Sequence, residues 1–133
     1  MTSSEPVIKK CPVKTAMAYL GQKWTIDIIR DLMFRNRRFS ELLTENDGLS
    51  NKVLSQRLKQ LEEGGLIEKK IVSKTPLKIE YELTERGYKL NKVLYELAQF
   101  SYEFYKDEIF SAGLEMDLES YIGFSKQLFK IDG

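Results

Sequence analysis

The sequence predicts a mainly α fold with one small β-hairpin, and three observations carry that prediction. Leu54, Leu58 and Leu61 fall at i, i+4 and i+7 between Ser50 and Gly64-Gly65, the spacing of one apolar stripe on a short helix. Trp24, Ile28, Ile29 and Leu32 have the spacing of a buried helical face. Ile79, Tyr81 and Leu83 alternate with Glu80 and Glu82, the period of a strand with one face buried. At 133 residues and 42% hydrophobic content, the chain is sized for one domain with a real core.

Residues 1–10 are polar and are expected to form a flexible N-terminal arm. Structure then begins at Cys11-Pro12, where proline suits the first helical turn and Cys11 takes the N-cap position. This helix offers Val13, Met17 and Leu20 to a core and ends at Gly21. A second helix spans Trp24 to Phe34, with Trp24 read as core rather than as a ligand platform. Arg35, Arg37 and Arg38 crowd the connection that follows. Phe39, Leu42 and Leu43 anchor a short third helix, and Asn46-Asp47-Gly48 makes a turn. Ser50 caps the leucine-striped helix, Gly64-Gly65 supplies its left-handed stop, and Leu66 folds back onto the stripe. Leu66 to Val72 is strand-like, Ser73 to Lys78 is a polar loop with Pro76, and the alternating strand closes a hairpin. Thr84 caps a long helix from near Glu85 to about Lys106, roughly 30 Å by helical rise. Beyond Gly113, Leu114, Leu118, Tyr121, Ile122, Leu128 and Phe129 outline a final amphipathic helix, weakened by Gly123.

On the Ser50–Glu63 helix, a turn of about 100° per residue puts Lys52, Gln56 and Lys59 opposite the leucines, with Ser55 at the edge and Asn51 at the start. That face carries cations, amides and a hydroxyl but no carboxylate. Lysine neutralises phosphate, and Gln makes a bidentate contact to adenine N6/N7 in a major groove. Alone, the face fits a solvated surface helix equally well. Its neighbours favour double-stranded DNA. A short helix, a turn and a longer helix with a polar outer face is the helix-turn-helix arrangement. The basic hairpin tip, with Lys74 and Lys78, is a wing suited to backbone or minor-groove contact. Arg37 and Arg38 suit phosphate clamping. The expected architecture is a winged helix-turn-helix with additional N- and C-terminal dimerisation helices. The long helix carries Leu90, Val93, Leu94, Leu97 and Phe104 with lateral aromatics, a stripe wider than one small core needs. A homodimer built from the long and terminal helices is expected, with the main domain over 11–106 and a helical extension over 107–133.

The net charge of +1 hides a segregation: 15 basic against 8 acidic residues from Lys9 to Lys78, and 6 against 11 from Ile79 to Gly133. A basic half suits a polyanion and an acidic half suits assembly away from it. With one cysteine and no histidine, neither an internal disulfide nor a transition-metal site is expected. No nucleophile is paired with a base, so neither enzymatic activity nor a cofactor is expected. No run is apolar enough to span a membrane and no basic-then-apolar leader opens the chain, which makes a cytoplasmic location the expectation.

The ordered set Cys11-Pro12-Val13, Gly21-Gln22-Lys23-Trp24, Arg38-Phe39-Ser40-Glu41-Leu42, Leu49-Ser50-Asn51-Lys52-Val53-Leu54, Leu58-Lys59-Gln60-Leu61-Glu62, Gly65-Leu66-Ile67 and Tyr81-Glu82-Leu83-Thr84-Glu85-Arg86-Gly87 resembles the HxlR-type transcriptional regulators, a MarR-like winged-helix group. The resemblance runs from Cys11 to about Phe104, and the segment after Gly113 is longer than that group's usual ending. It implies a dimeric prokaryotic regulator that binds a near-palindromic operator, with Ser50–Glu63 as recognition helix. Some members of the group sense electrophiles through an N-terminal cysteine, and Cys11 occupies the matching position. Independently, a helix N-terminus near Lys9, Lys10 and Lys14 favours the thiolate, making Cys11 a candidate sensor thiol, with small-residue packing at a dimer seam as the alternative. The alternative to DNA binding is a winged-helix protein-interaction module, against which the lysine-rich half argues. Space between the long helices has room for a small apolar effector, although no residue pattern demands one.

Overall fold

The computed structural model describes residues 5–132. Of the N-terminal arm, residues 1–4 lie outside the described residues, and 5–10 are exposed without helix or strand. The element order is α1 (Pro12–Leu20), α2 (Thr25–Phe34), α3 (Phe39–Glu45), α4 (Asn51–Glu63), β1 (Ile67–Lys74), β2 (Leu77–Leu83), α5 (Glu85–Tyr88), α6 (Asn91–Ile109) and α7 (Leu118–Leu128). The fold is mostly helical with a two-stranded antiparallel hairpin, as the patterning predicts.

The core gathers where α2, α3, α4 and the hairpin meet. Ile28, Ile29, Leu32 and Met33 of α2, Leu42 of α3 and Leu54 of α4 have no exposed surface, and Leu58 and Leu61 are nearly as buried. Each such side chain contributes about 1.5–3 kcal/mol over its exposed state. Ile67, Tyr81 and Leu83 close the cluster from the hairpin, and Leu94 of α6 closes it from the far side. The α2–α3 connection joins the sheet edge: Arg37 and Tyr81 exchange backbone hydrogen bonds at 3.1 and 2.7 Å.

Four elements depart from their sequence patterns. Helix α2 begins at Thr25, because Trp24 is its N-cap with a left-handed backbone at φ 80°. Trp24 is half-buried against the core, and its ring lies 3.8 Å from where a Cβ on Gly48 would sit. Helix α1 gives only Leu20 to the core. Val13 and Met17 face solvent, because α1 reaches the body of the domain only at its C-terminal end. The long helix is broken after Tyr88. Thr84 accepts from the Gly87 N–H and closes the single turn α5, and the chain restarts as α6 at Asn91. The hairpin loop is shorter than its polar stretch suggests. The strands run to Lys74 and from Leu77, leaving a two-residue turn whose Thr75-Pro76 bond is cis.

Sequence patterning favours a dimer built from the long and terminal helices, but α7 packs on its own α6. Tyr121 stacks on Tyr102 with ring centroids 4.5 Å apart, and Phe110 meets both rings edge-on. The Tyr102 hydroxyl donates to the Met116 carbonyl at 2.6 Å and that of Tyr121 to the Ala98 carbonyl at 3.0 Å. At the other end Asn91 Nδ2 donates to the Phe129 carbonyl at 3.0 Å, while the Phe129 ring tucks beside Phe34. Of the α6 aromatics Tyr102 is thus covered by α7, while Phe100, Phe104 and Tyr105 stay exposed.

Candidate nucleic-acid interface

Helix α4 is fixed at both ends and along its back. At its start the Ser50 hydroxyl accepts from the Val53 N–H at 3.1 Å, satisfying one orphan donor. At its end the Leu66 N–H donates to the Leu61 carbonyl at 2.9 Å and the Gly65 N–H to that of Glu62 at 3.0 Å, with Gly65 at φ +74°. This is the Schellman stop, and it needs a residue without a side chain at the left-handed position. Arg86 of α5 donates to the Gly64 carbonyl at 2.9 Å. Between the ends, Leu54, Leu58 and Leu61 hold the helix to the core while Asn51, Lys52, Ser55, Gln56 and Lys59 all face solvent. The helix therefore presents a fixed row of amide, ammonium and hydroxyl groups.

Helix α3 crosses before it. The turn between them is held by Asn46, buried, whose Nδ2 donates to Asp31 Oδ2 and to the Leu42 carbonyl, both at 2.8 Å. On the other flank the hairpin exposes Lys74 and Lys78 at its tip. A groove of about 440 Å³ runs between α4 and the hairpin, lined by Ser55, Lys59, Glu62 and Glu63 on one side and Lys69 and Tyr81 on the other. Lys69 is absent from the residues singled out by sequence. Its signal was available: Ile67, Lys69 and Ile71 alternate onto one face, and Lys69 pairs with Tyr81. Burial, then the Glu62 carboxylate, raises the Tyr81 phenol above its ordinary value, so its hydroxyl stays neutral at this edge.

The three arginines of the α2–α3 connection separate by role. Arg37 is buried, with Nε on Glu45 at 2.7 Å and Nη1 donating to the Arg35 carbonyl at 3.2 Å. Its expected phosphate-clamping role is corrected: the backbone bridge to Tyr81 draws Arg37 inward, and Glu45 neutralises it there. Arg38 stays exposed at the start of α3, its N–H on Glu41 at 2.9 Å and its Nε 3.6 Å from the same carboxylate. Arg35 donates to Glu41 at 2.9 Å. The Arg38 N–H and then the Arg35 guanidinium hold the Glu41 carboxyl at about 2, well below its ordinary value.

Cys11 is exposed at the N-cap of α1. Its carbonyl accepts from the Thr15 hydroxyl at 3.0 Å, and Lys10, Lys14 and Tyr19 line the shallow cavity beside it. Among the described residues no cluster of His, Cys, Asp and Glu is set to hold a metal ion, and no helix is long and apolar enough to cross a membrane.

Comparison with known proteins agrees with this geometry. The model of the HxlR-like helix-turn-helix family matches residues 19–109. The chain is 36% identical to the HTH-type transcriptional regulator YodB of Bacillus subtilis over 95 residues, which is 71% of this chain and 85% of that protein. The reduced form of YodB superposes with a TM-score of 0.65 at 35% identity, covering 73% of this chain and 96% of that one. The quinone-bound form does so with a TM-score of 0.62 at 32% identity, covering 71% and 100%. In each case the neighbour leaves about a quarter of this chain uncovered, and the family match stops at the end of α6, before α7. The protein is a member of the HxlR-like helix-turn-helix family, a transcriptional regulator built on a winged helix-turn-helix.

Proposed function

We propose that the protein is a homodimer that binds double-stranded DNA at a near-palindromic operator, with α4 in the major groove. The observation that carries this reading is the outer face of α4 from Asn51 to Lys59: five exposed polar side chains, none a carboxylate, with Glu62 and Glu63 following only in the last turn, on a helix that is capped, stopped and backed by three buried leucines. Lys52, Ser55, Gln56 and Lys59, with Asn51 at the start, take the groove contacts. Arg38, Lys74 and Lys78 take phosphates or the minor groove. Arg37 is left out of the contact set because its charge is already neutralised inside the fold.

The dimer reading rests on what α1 and α6 leave uncovered. Val13 and Met17 are exposed on α1, and Val93, Leu97, Phe100 and Phe104 form a second exposed stripe on α6, on the side away from α7. Pairing these surfaces across a two-fold axis would bury them and bring two reading helices to successive major grooves, roughly 34 Å apart. The unit over 11–106 does the reading and pairing, and the extension over 107–133 braces α6.

The test is a gel shift on genomic fragments followed by footprinting. Wild-type protein is expected to retard a discrete set and to protect two segments one turn apart. Gln56→Ala should cost about 1–3 kcal/mol at the selected site and relax preference against a scrambled site. A protein that retards no fragment would leave the protein-interaction module as the better reading.

Cys11 as an electrophile sensor is a second reading, favoured by its exposure beside Lys10 and Lys14 and by the solved reduced and quinone-bound forms of YodB. No second cysteine exists in the chain. A quinone would add to the sulfur, whereas diamide would join Cys11 to Cys11 of the partner subunit. Either reagent should release DNA from wild type and not from Cys11→Ser; equal release from both would exclude the role.

A further inference from the structure

We propose that the hairpin tip is an apolar wedge that enters the minor groove beside the reading helix and kinks the duplex there. This rests on the DNA-binding reading above and adds to it a deformation of the DNA.

Leu77, Ile79, Tyr81 and Leu83 share one face of β2 by the period of a strand. Along that face burial falls away: Leu83 is 4% exposed, Tyr81 8%, Ile79 half-buried and Leu77 63%. The register puts Ile71 opposite Ile79 and Lys74 opposite Leu77, and Ile71 is also exposed. The face that seals the core at one end therefore overruns the domain at the other. Leu77 stands about 13 Å beyond Tyr81 along the strand. A bulge between Ile71 and Ser73 adds local twist and leaves Val72 exposed as well. Pro76 completes an apolar end that water alone would leave as an aggregation hazard.

Charge identifies what covers it. From Lys69 to Ile79 the chain holds four lysines and no carboxylate. Lys70 is paired with Glu82 at 3.6 Å, but Lys74 and Lys78 at the tip have no ion pair among the described residues. A protein partner would have to bury those lysines, which interface cores avoid. A minor groove offers phosphates to the lysines and a base step to the wedge, the combination that Leu, Ile and Pro wedges exploit when they kink DNA. The placement agrees, because the hairpin face that runs out to Leu77 lines, through Lys69 and Tyr81, the same groove as Ser55 and Lys59 of α4. The wedge thereby adds selectivity for easily unstacked pyrimidine–purine steps outside the base pairs that α4 reads.

The probe is a duplex enriched from a randomised pool by the wild-type full chain, carrying a dye at each end so that energy transfer reports the bend. Wild type is expected to bend it by about 20° or more. Leu77→Ser, an exposed substitution, should still bind but lose at least about half of the bend, with affinity falling about tenfold when a pyrimidine–purine step lies under the tip and little when an A-tract does. Leu77→Met should keep the bend. An unchanged bend in Leu77→Ser would overturn the wedge while leaving DNA binding intact. A lower sedimentation mass of Leu77→Ser without DNA would overturn it in favour of a contact between copies. Failure of the wild type to enrich any duplex would bring down the DNA-binding reading itself, and the wedge with it.

Discussion

Arg57 Nε donates to the Lys23 carbonyl at 2.8 Å, tying the middle of α4 to the turn that joins α1 to α2. The same turn is braced by Trp24, whose left-handed backbone turns its ring toward Gly48 in the α3–α4 connection. The reading helix and the exposed helix α1 are thereby linked through one short segment. Arg57→Ala is expected to lower unfolding free energy by about 1 kcal/mol, because the bond is solvent-exposed. It should weaken DNA binding alike on cognate and scrambled sites, since Arg57 positions α4 without reading bases. Urea denaturation and paired gel shifts check both parts; a change in sequence preference would instead make Arg57 a base contact.

Arg37 and Arg38 are neighbours with opposite fates, and salt dependence separates them. Removing a phosphate contact lowers the slope of log affinity against log salt by about 1. Arg38→Ala is expected to do so. Arg37→Ala is expected to leave the slope unchanged and to lower stability by about 1–3 kcal/mol, because Glu45 keeps only its longer 3.6 Å contact to Arg35 and the bond to the Arg35 carbonyl is lost. Binding titrations at several salt concentrations, beside thermal denaturation, test the pair.

How much of this was legible beforehand depended on whether local signals agreed. In α4 the leucine spacing, the Ser50 cap and the Gly64-Gly65 stop all point to one helix, and the structure follows them closely. Arg37 was opaque because nothing local distinguishes it from Arg35 or Arg38. Its burial comes from a bridge to Tyr81, more than forty residues on. The break after Tyr88 was opaque because the apolar stripe continues through it, while the short turn α5 is closed by the Thr84 cap and set close against the Leu66 carbonyl at Gly87. Helix α1 misled through amphipathicity, since a stripe of Val13 and Met17 reads alike whether it faces its own core or another surface. Lys69 lies in strand β1 rather than in the loop, and only its alternation with Ile67 and Ile71 puts it on the face toward α4.

Glu41 makes stability depend on acidity in a defined window. It accepts from the Arg38 N–H and the Arg35 guanidinium, both at 2.9 Å, which brings its carboxyl from an ordinary 4.5 to about 2. The folded value lies below the unfolded one. The stabilisation is therefore complete above about pH 4.5 and fades as pH falls toward 2. Glu41→Gln should melt below wild type at neutral pH, and the gap should close across that window. A gap that stays constant down to pH 2 would show that the charge of Glu41 is not its source.

Three glycines are expected to answer alanine differently, and the reasons are steric. At Gly87, buried in α5 against the hairpin, a Cβ would collide with the Leu66 carbonyl oxygen and come within 2.9 Å of Leu83 Cδ2. Leu66 O already holds the Thr84 N–H at 3.0 Å, so neither side can retreat cheaply. Gly87→Ala should cost about 1–3 kcal/mol or more. Gly65 has φ +74°, and a Cβ there would meet the Arg86 guanidinium at 2.8 Å, a flexible group that can move aside at the cost of its bond to the Gly64 carbonyl. The left-handed backbone remains as the main penalty, about 1–2 kcal/mol. Gly123 lies inside α7 with open space around the Cβ position, so alanine should stabilise by about 0.5–1 kcal/mol through helix propensity alone. Chemical denaturation of the three variants tests this order. A destabilising Gly123→Ala would mean that α7 needs that surface bare for a contact outside the subunit.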